Sequence, residues 1–148
     1  MQYFSKKKLN LPDGFFLNST EIPSARLINN LLISCGSDFF SNEKLNQAIK
    51  NSNFFFAICN KSKRQVFGFV RVTSDKGLNA NLWNLCAQPG KNQKLFYSIL
   101  LRSTLEKINR EMPGCSISVQ APQSSFDILK ETGFVLDPNG IRVMGLRL

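Results

Sequence analysis

The residues able to do chemistry are few and scattered. In 148 residues there is no histidine, which removes imidazole bases, Ser/His/Asp and Cys/His triads, and most zinc sites. The remaining candidates for proton transfer are Glu43, Asp75, Glu131 and Tyr97. Surface charge is the competing reading for the three carboxylates, and a place in a helical core seam is the competing reading for Tyr97. Cys35, Cys59, Cys86 and Cys115 form no C-x-x-C pair, and each lies in or beside an apolar run (LLISC, FFFAIC, LWNLC, CSISV). That spacing reads as free thiols in the core rather than as disulfides or metal ligands.

Charge is the other chemical signal. Nineteen Lys+Arg against ten Asp+Glu leave a formal charge of +9, which suits nucleic acid, an acidic surface or a phosphate-rich cofactor. Apart from Lys6-Lys7-Lys8 the lysines are dispersed, and a genome bias towards AT-rich codons is an alternative cause. No face combines clustered basic and aromatic residues, so nucleic acid is not the expected partner. No apolar run approaches the roughly 18 residues of a membrane span, and MQYFSKKKLNLPDG places its lysines before a turn rather than before a signal-peptide core. A cytoplasmic protein without membrane contact is the expectation. With 43% hydrophobic and 20% charged residues, the chain should form a short basic tail (1–12) and one domain (13–148).

The elements that must position these groups follow from periodicity. Phe15-Phe16-Leu17 after Pro12-Asp13-Gly14 reads as a short strand. A helix starts near Pro23, carries Leu27, Leu31, Leu32 and Cys35 on one stripe, and ends at Gly36. A second helix opens at Ser41-Asn42-Glu43-Lys44 and buries Leu45, Ala48 and Ile49. Phe54–Cys59 and Val66–Thr73 read as an antiparallel hairpin across Asn60–Arg64, and Ala80–Ala87 as the next strand of a meander. Strict alternation there would put Asn81, Trp83, Leu85 and Ala87 on one face and Leu82, Asn84 and Cys86 on the other. A strand-centre tryptophan usually packs under a helix, so core is the expectation for Trp83.

The longest helix should span about 93–111, with Tyr97, Leu101, Leu105, Ile108 and Met112 as its seam. Leu95 and Ile99 make its first turns apolar all round, so that end must be covered on both sides. A strand at Cys115–Gln120, a helix at Gln123–Thr132 closed by Gly133, and a final strand after Asp137-Pro138-Asn139-Gly140 complete an α+β order of β-α-α-β-β-β-α-β-α-β, a mostly antiparallel sheet flanked by helices in three layers.

That order, with Gly68-Phe69-Val70-Arg71-Val72-Thr73-Ser74-Asp75, Trp83-Asn84-Leu85 leading to Gln88-Pro89, and Thr132-Gly133-Phe134, resembles the GNAT superfamily of N-acetyltransferases over roughly residues 12–148, and in particular its small cyanobacterial and plastid-type members. The resemblance implies acetyl-CoA as co-substrate and an amine, small or protein-borne, as acceptor; a homodimer is compatible with it. It further implies a slot between the fourth and fifth strands. There the backbone of Leu85, Cys86 and Ala87 would bond the pantetheine arm, and Lys91, Asn92, Gln93, Lys94, Leu95, Phe96 and Tyr97 would meet the pyrophosphate at a helix N-terminus.

Three positions depart from the family pattern. Asn92–Tyr97 stands where the family's phosphate loop reads Q/R-x-x-G-x-G/A, so bulky residues replace each small one. Asn84 occupies a frequently acidic position, and Leu129 the place of a tyrosine general acid. The alternative function is therefore a GNAT-fold scaffold with impaired catalysis, acting through binding. On the crowding argument, glycine at Leu95 and Tyr97 would tighten CoA binding.

Overall fold

The computed structural model describes residues 9–147; Lys6-Lys7-Lys8 and the rest of the first eight positions lie outside them. The elements run β1 (Phe15–Asn18), α1 (Ala25–Ser34), α2 (Asn42–Lys50), β2 (Phe54–Asn60), β3 (Val66–Ser74), β4 (Asn79–Ala87), α3 (Gln93–Glu111), β5 (Ser116–Val119) and α4 (Phe126–Thr132), with a 3₁₀ turn at Gln123–Ser125 leading into α4. One sheet holds the strands in sequence order, antiparallel through β4 and parallel only between β4 and β5.

Local chemistry sets the helix starts. Ser24 caps α1 by accepting from the Leu27 amide, and Ser41 caps α2 by accepting from Lys44, each satisfying one of the donors a first turn leaves open. Gly133, at φ 104°, ends α4 in the left-handed conformation that favours glycine.

The sheet is covered on both faces, which explains why Phe54–Cys59 is buried without interruption. α1 and α2 cover one face, where Ile28, Leu31, Leu32, Leu45 and Ile49 meet Phe55, Ala57, Phe69 and Cys86. α3 and α4 cover the other, where Leu100, Leu101, Ile108 and Leu129 meet Phe56, Ile58, Val70 and Leu82. Leu9 and Leu11 also pack against this second cluster, so the segment before Pro12 contributes to the core. In the first half of α3, Phe96, Tyr97, Ile99, Leu100 and Leu101 are buried, Leu95 is half-buried and Lys94 is exposed. Its seam differs in one respect: Thr104 is fully buried and Leu105 only half so.

Two expectations are corrected. The alternation of β4 breaks at Asn84, whose φ is 54°. The register against β3 moves from Arg71↔Trp83 to Phe69↔Cys86, inserting one extra residue into β4. This bulge turns Leu85 and Ala87 to the same side as Leu82, while Cys86 faces α1. The final strand does not form. Ile141, Val143, Met144 and Leu146 are 71–94% exposed, and Arg147 pairs with Asp38 at 2.8 Å, so the segment runs towards the α1–α2 connection instead of lying beside β5.

Gly68 positions the site. A Cβ there would lie 3.0 Å from Leu100 Cδ1 and 3.2 Å from Ile58 Cδ1. Glycine at this point lets α3 sit directly on β3 opposite Ala87.

Candidate functional site

β4 and β5 separate. Their pairing ends at Leu82↔Val119, followed by one long bond from the Gln120 amide to the Leu82 carbonyl at 3.4 Å. Trp83–Ala87 then continues along β3 while the other chain turns at Pro122 into the 3₁₀ turn and α4. A cavity of about 490 Å³ opens between the first turns of α3 and the length of α4, with Gln93, Lys94, Tyr97, Ser124, Asp127 and Glu131 among its lining residues. That volume is within the range of small-molecule sites.

Gln93, which lines the cavity, reaches β4 at Ala87. Ala87 pairs with Gly68, while the flanking Gln88 amide bonds the Phe67 carbonyl at 2.7 Å; in an antiparallel ladder the alternate residue turns its own polar groups away from that neighbour. The Ala87 carbonyl accepts from Gln93 Nε2 at 3.0 Å and from Cys35 Sγ at 3.3 Å. α3 opens on Asn92, which makes no side-chain cap bond; the Gln93 amide bonds the Gly90 carbonyl at 3.1 Å, which leaves the Lys94 and Leu95 amides as first-turn donors with the positive end of the helix dipole behind them.

Charge and ionisation in the cavity are specific. Tyr97 is 1% exposed, and its hydroxyl lies 2.8 Å from Ser124 Oγ. Burial raises its pKa, so it remains a neutral phenol throughout the physiological range. Lys94 Nζ is 2.8 Å from Glu131 Oε1, and this hydrogen bond raises the lysine pKa. The Cys35 thiol, by contrast, is lowered to about 7, chiefly by its neighbour Cys86.

The other sequence candidates fall elsewhere. Asp75 lies in the β3–β4 turn, at the far end of β4, where its Oδ1 accepts from the amides of Gly77, Leu78 and Asn79 at 2.8–3.0 Å. Glu43 is exposed in the first turn of α2 and does not line the cavity. Asn84 Oδ1 accepts from Arg71 Nε at 2.7 Å, and Leu129 is in the core. Trp83 is half-buried on the sheet surface, donating to Thr73 Oγ1 at 2.7 Å with the Arg71 guanidinium 5.7 Å from its ring.

Gln93, Lys94 and Tyr97 are the loop positions that line the cavity. Leu85 and Cys86 turn their side chains into the two cores. Phe96 packs on Phe15 and Phe67, with ring centroids at 5.2 and 6.4 Å, and Leu95 leans on the same cluster. Bulky residues in the loop thus direct their mass into the core. Glycine at Tyr97 would leave a large void there, a change that costs about 3–5 kcal/mol for aromatic residues in general. Sequence reasoning missed Ser124 and Cys35: Ser124 stands 27 positions from Tyr97, and no local pattern announces either contact.

No protein-family model matches the chain. It is similar to two curated proteins, each named an uncharacterized N-acetyltransferase ycf52. With that of Pyropia yezoensis it is 26% identical over 104 residues, 69% of this chain and 59% of the other. With that of Porphyra purpurea it is 25% identical over 139 residues, 93% of this chain and 79% of the other. The match thus spans about three fifths of the Pyropia protein's length.

Among solved structures, a Staphylococcus aureus protein described as "Probable Acetyltransferase" superposes with a TM-score of 0.78 at 16% identity, covering 90% of this chain and all of that one. The GNAT family N-acetyltransferase YhbS of Escherichia coli, solved in complex with CoA, superposes with a TM-score of 0.60 at 14% identity, covering 90% of this chain and 75% of that one. Strand order, the parted β4 and β5, and these superpositions together give the chain the GNAT N-acetyltransferase fold, and in sequence it is similar to the ycf52 N-acetyltransferases.

Proposed function

We propose that the protein is an acyl-CoA-dependent N-acetyltransferase that passes an acetyl group to an amine. The observation that carries this reading is the cavity between the start of α3, which has no side-chain cap, and α4, on a sheet whose β4 and β5 stop pairing at Leu82↔Val119. The residues fit the co-substrate: free amides and a net positive chain suit a diphosphate, and the Ala87 backbone suits an amide-bearing arm. Gln93 and Lys94 must turn aside from Ala87 and Glu131 to admit it. Acetyl-CoA would supply the activated acyl group.

The chain's own residues would then bind, orient and donate a proton. A lysine-like amine is only about 0.04% neutral at pH 7, so a base would help, typically by about 10²–10⁴-fold. Holding amine and thioester in one cleft can contribute roughly 7–11 kcal/mol. Positioning therefore outweighs the missing base. Tyr97, buried and neutral at the cavity wall, is the group we assign to protonate the departing thiolate.

Acetyl-CoA at about 100 times its Kd should stabilise the fold by roughly 2.7 kcal/mol, a Tm rise of about 5–10 °C. A thiol-release assay with an amine panel should show turnover. Tyr97→Phe keeps the core volume and should lower kcat by about 10²–10⁴ with CoA affinity unchanged. A flat melting curve together with no thiol release would overturn the transferase reading in favour of a scaffold; full activity in Tyr97→Phe would remove only the role given to the phenol.

A further inference from the structure

Cys35 is the C-cap of α1 and reaches over the end of β4. Its Sγ lies 3.3 Å from the Ala87 carbonyl and 3.9 Å from Ser34 Oγ. The preceding residue on β4, Cys86, is turned to the α1 side by the bulge at Asn84, and Cys35 packs against it. Each thiol is the largest influence on the other's ionisation. Cys86 is 3% exposed, whereas Cys35 keeps part of its surface in solvent. The other thiols are committed elsewhere: Cys115 bonds the Gly77 carbonyl at the opposite end of the sheet, and Cys59 is buried on β2.

We propose that Cys35 and Cys86 form a reversible intramolecular disulfide on exposure to a peroxide, with Cys35 as the thiol that reacts first and Cys86 as the one that resolves it. The Cys35 thiolate attacks one peroxide oxygen. The O–O bond breaks, leaving a sulfenic acid on Cys35 and releasing hydroxide. The Cys86 sulfur then displaces the hydroxyl from Cys35: the S–S bond forms, the S–O bond breaks, and the Cys86 proton leaves with the hydroxyl as water. The two thiols lose two electrons in total and the peroxide gains them; an excess of dithiol reverses the change.

The order of reaction follows from the surroundings. Cys35 is the accessible sulfur, and its ionisation near pH 7 supplies the nucleophilic thiolate. Cys86 is held protonated by its neighbour Cys35 and by burial, so it waits behind its partner. The cross-link would fasten the end of α1 to β4 beside Ala87. It does not depend on the acetyl-transfer reading, because it rests on Cys35 reaching the end of β4 beside Cys86 in one cluster and on the chemistry of the two thiols.

The test uses the purified full chain, reduced and then treated with a small excess of hydrogen peroxide. Intact mass should fall by two hydrogen atoms, two of the four thiols should resist alkylation, and a proteolytic digest should yield a Cys35–Cys86 linked peptide that dithiothreitol releases. In Cys86→Ser, Cys35 should be trapped as a sulfenic acid by dimedone; in Cys35→Ser, Cys86 should stay reduced. Four alkylatable thiols after treatment, a link to Cys59 or Cys115, or equally fast oxidation of Cys86 in Cys35→Ser would each overturn the proposal. The wild-type digest decides the pairing even if replacing buried Cys86 unfolds the chain.

Discussion

Lys94 in the first turn of α3 and Glu131 in the last turn of α4 are joined at 2.8 Å across the mouth of the cavity. On the acetyl-CoA reading proposed above, the pair would hold back one of the cations that line the cavity. Both side chains are more than half exposed, so the bond is weak and screened by salt. Glu131→Gln should therefore release Lys94 and tighten CoA binding about twofold to fivefold at low ionic strength, with the gain fading at high salt. Calorimetric titration at two salt concentrations checks this; weaker binding in Glu131→Gln would show that the carboxylate helps to organise the site.

Asn84 combines a left-handed backbone with a bond to Arg71 Nε at 2.7 Å. Asn84→Ala loses a hydrogen bond to a charged group and places a less tolerant residue at positive φ, costing about 2 kcal/mol. Asn84→Asp places a carboxylate at the position where the resemblance expects one, but beside a guanidinium that favours its ionised form. It should hold stability without raising turnover across pH 6–9. A new rate increase with an apparent pKa near 7 would contradict that expectation.

Gly68 on β3 lies beneath Leu100 of α3. A Cβ would have to displace Leu100 and Ile58 side chains in a filled core, so Gly68→Ala should destabilise by about 1–3 kcal/mol, as overpacking generally does. Because Gly68 pairs with Ala87, the displacement is transmitted to the cavity, and any CoA-dependent Tm rise should shrink in the same variant. Denaturant midpoints with and without CoA measure both effects.

Asp75 is held at a pKa of about 2, first by the amide of Asn79 and then by those of Gly77 and Leu78. A carboxylate lowered from its unfolded value near 3.9 stabilises the fold above that pH and loses its contribution as pH falls towards 2. Asp75→Ala should therefore unfold at lower urea than wild type at pH 6, and the two midpoints should converge between about pH 4 and 2. A constant gap over that window would mean that the turn is held by backbone geometry alone.

Much of the fold was legible because its cues are local. The helix at Gln93–Glu111 follows from a dense apolar stretch ended by Pro113-Gly114, and the meander follows from aromatic and β-branched runs between polar turns. Two elements were misread for reasons of partnership. Ile141–Leu146 has the composition of a strand but leaves the outer edge of β5 unpaired, and the Arg147 that follows it meets Asp38 instead. β4 has strict alternation in its letters, yet the extra residue at Asn84 reverses its inner face. A bulge depends on the neighbouring strand and leaves no periodic mark.

The site divides along the same line. Taken alone, the amino-acid order determined that no imidazole chemistry is available, which segment opens the longest helix, and that bulky side chains replace small ones there, because these are properties of residue type and of spacing within a few turns. Tertiary structure decided where those bulky side chains go, that Tyr97 meets Ser124, that Lys94 meets Glu131, and that Cys35 meets Cys86. The first two contacts close loops of 27 and 37 residues, and the two cysteines are still further apart along the chain. Their specificity comes from how α3 and α4 pack beside each other on one face of the sheet and α1 on the other, which no local pattern encodes.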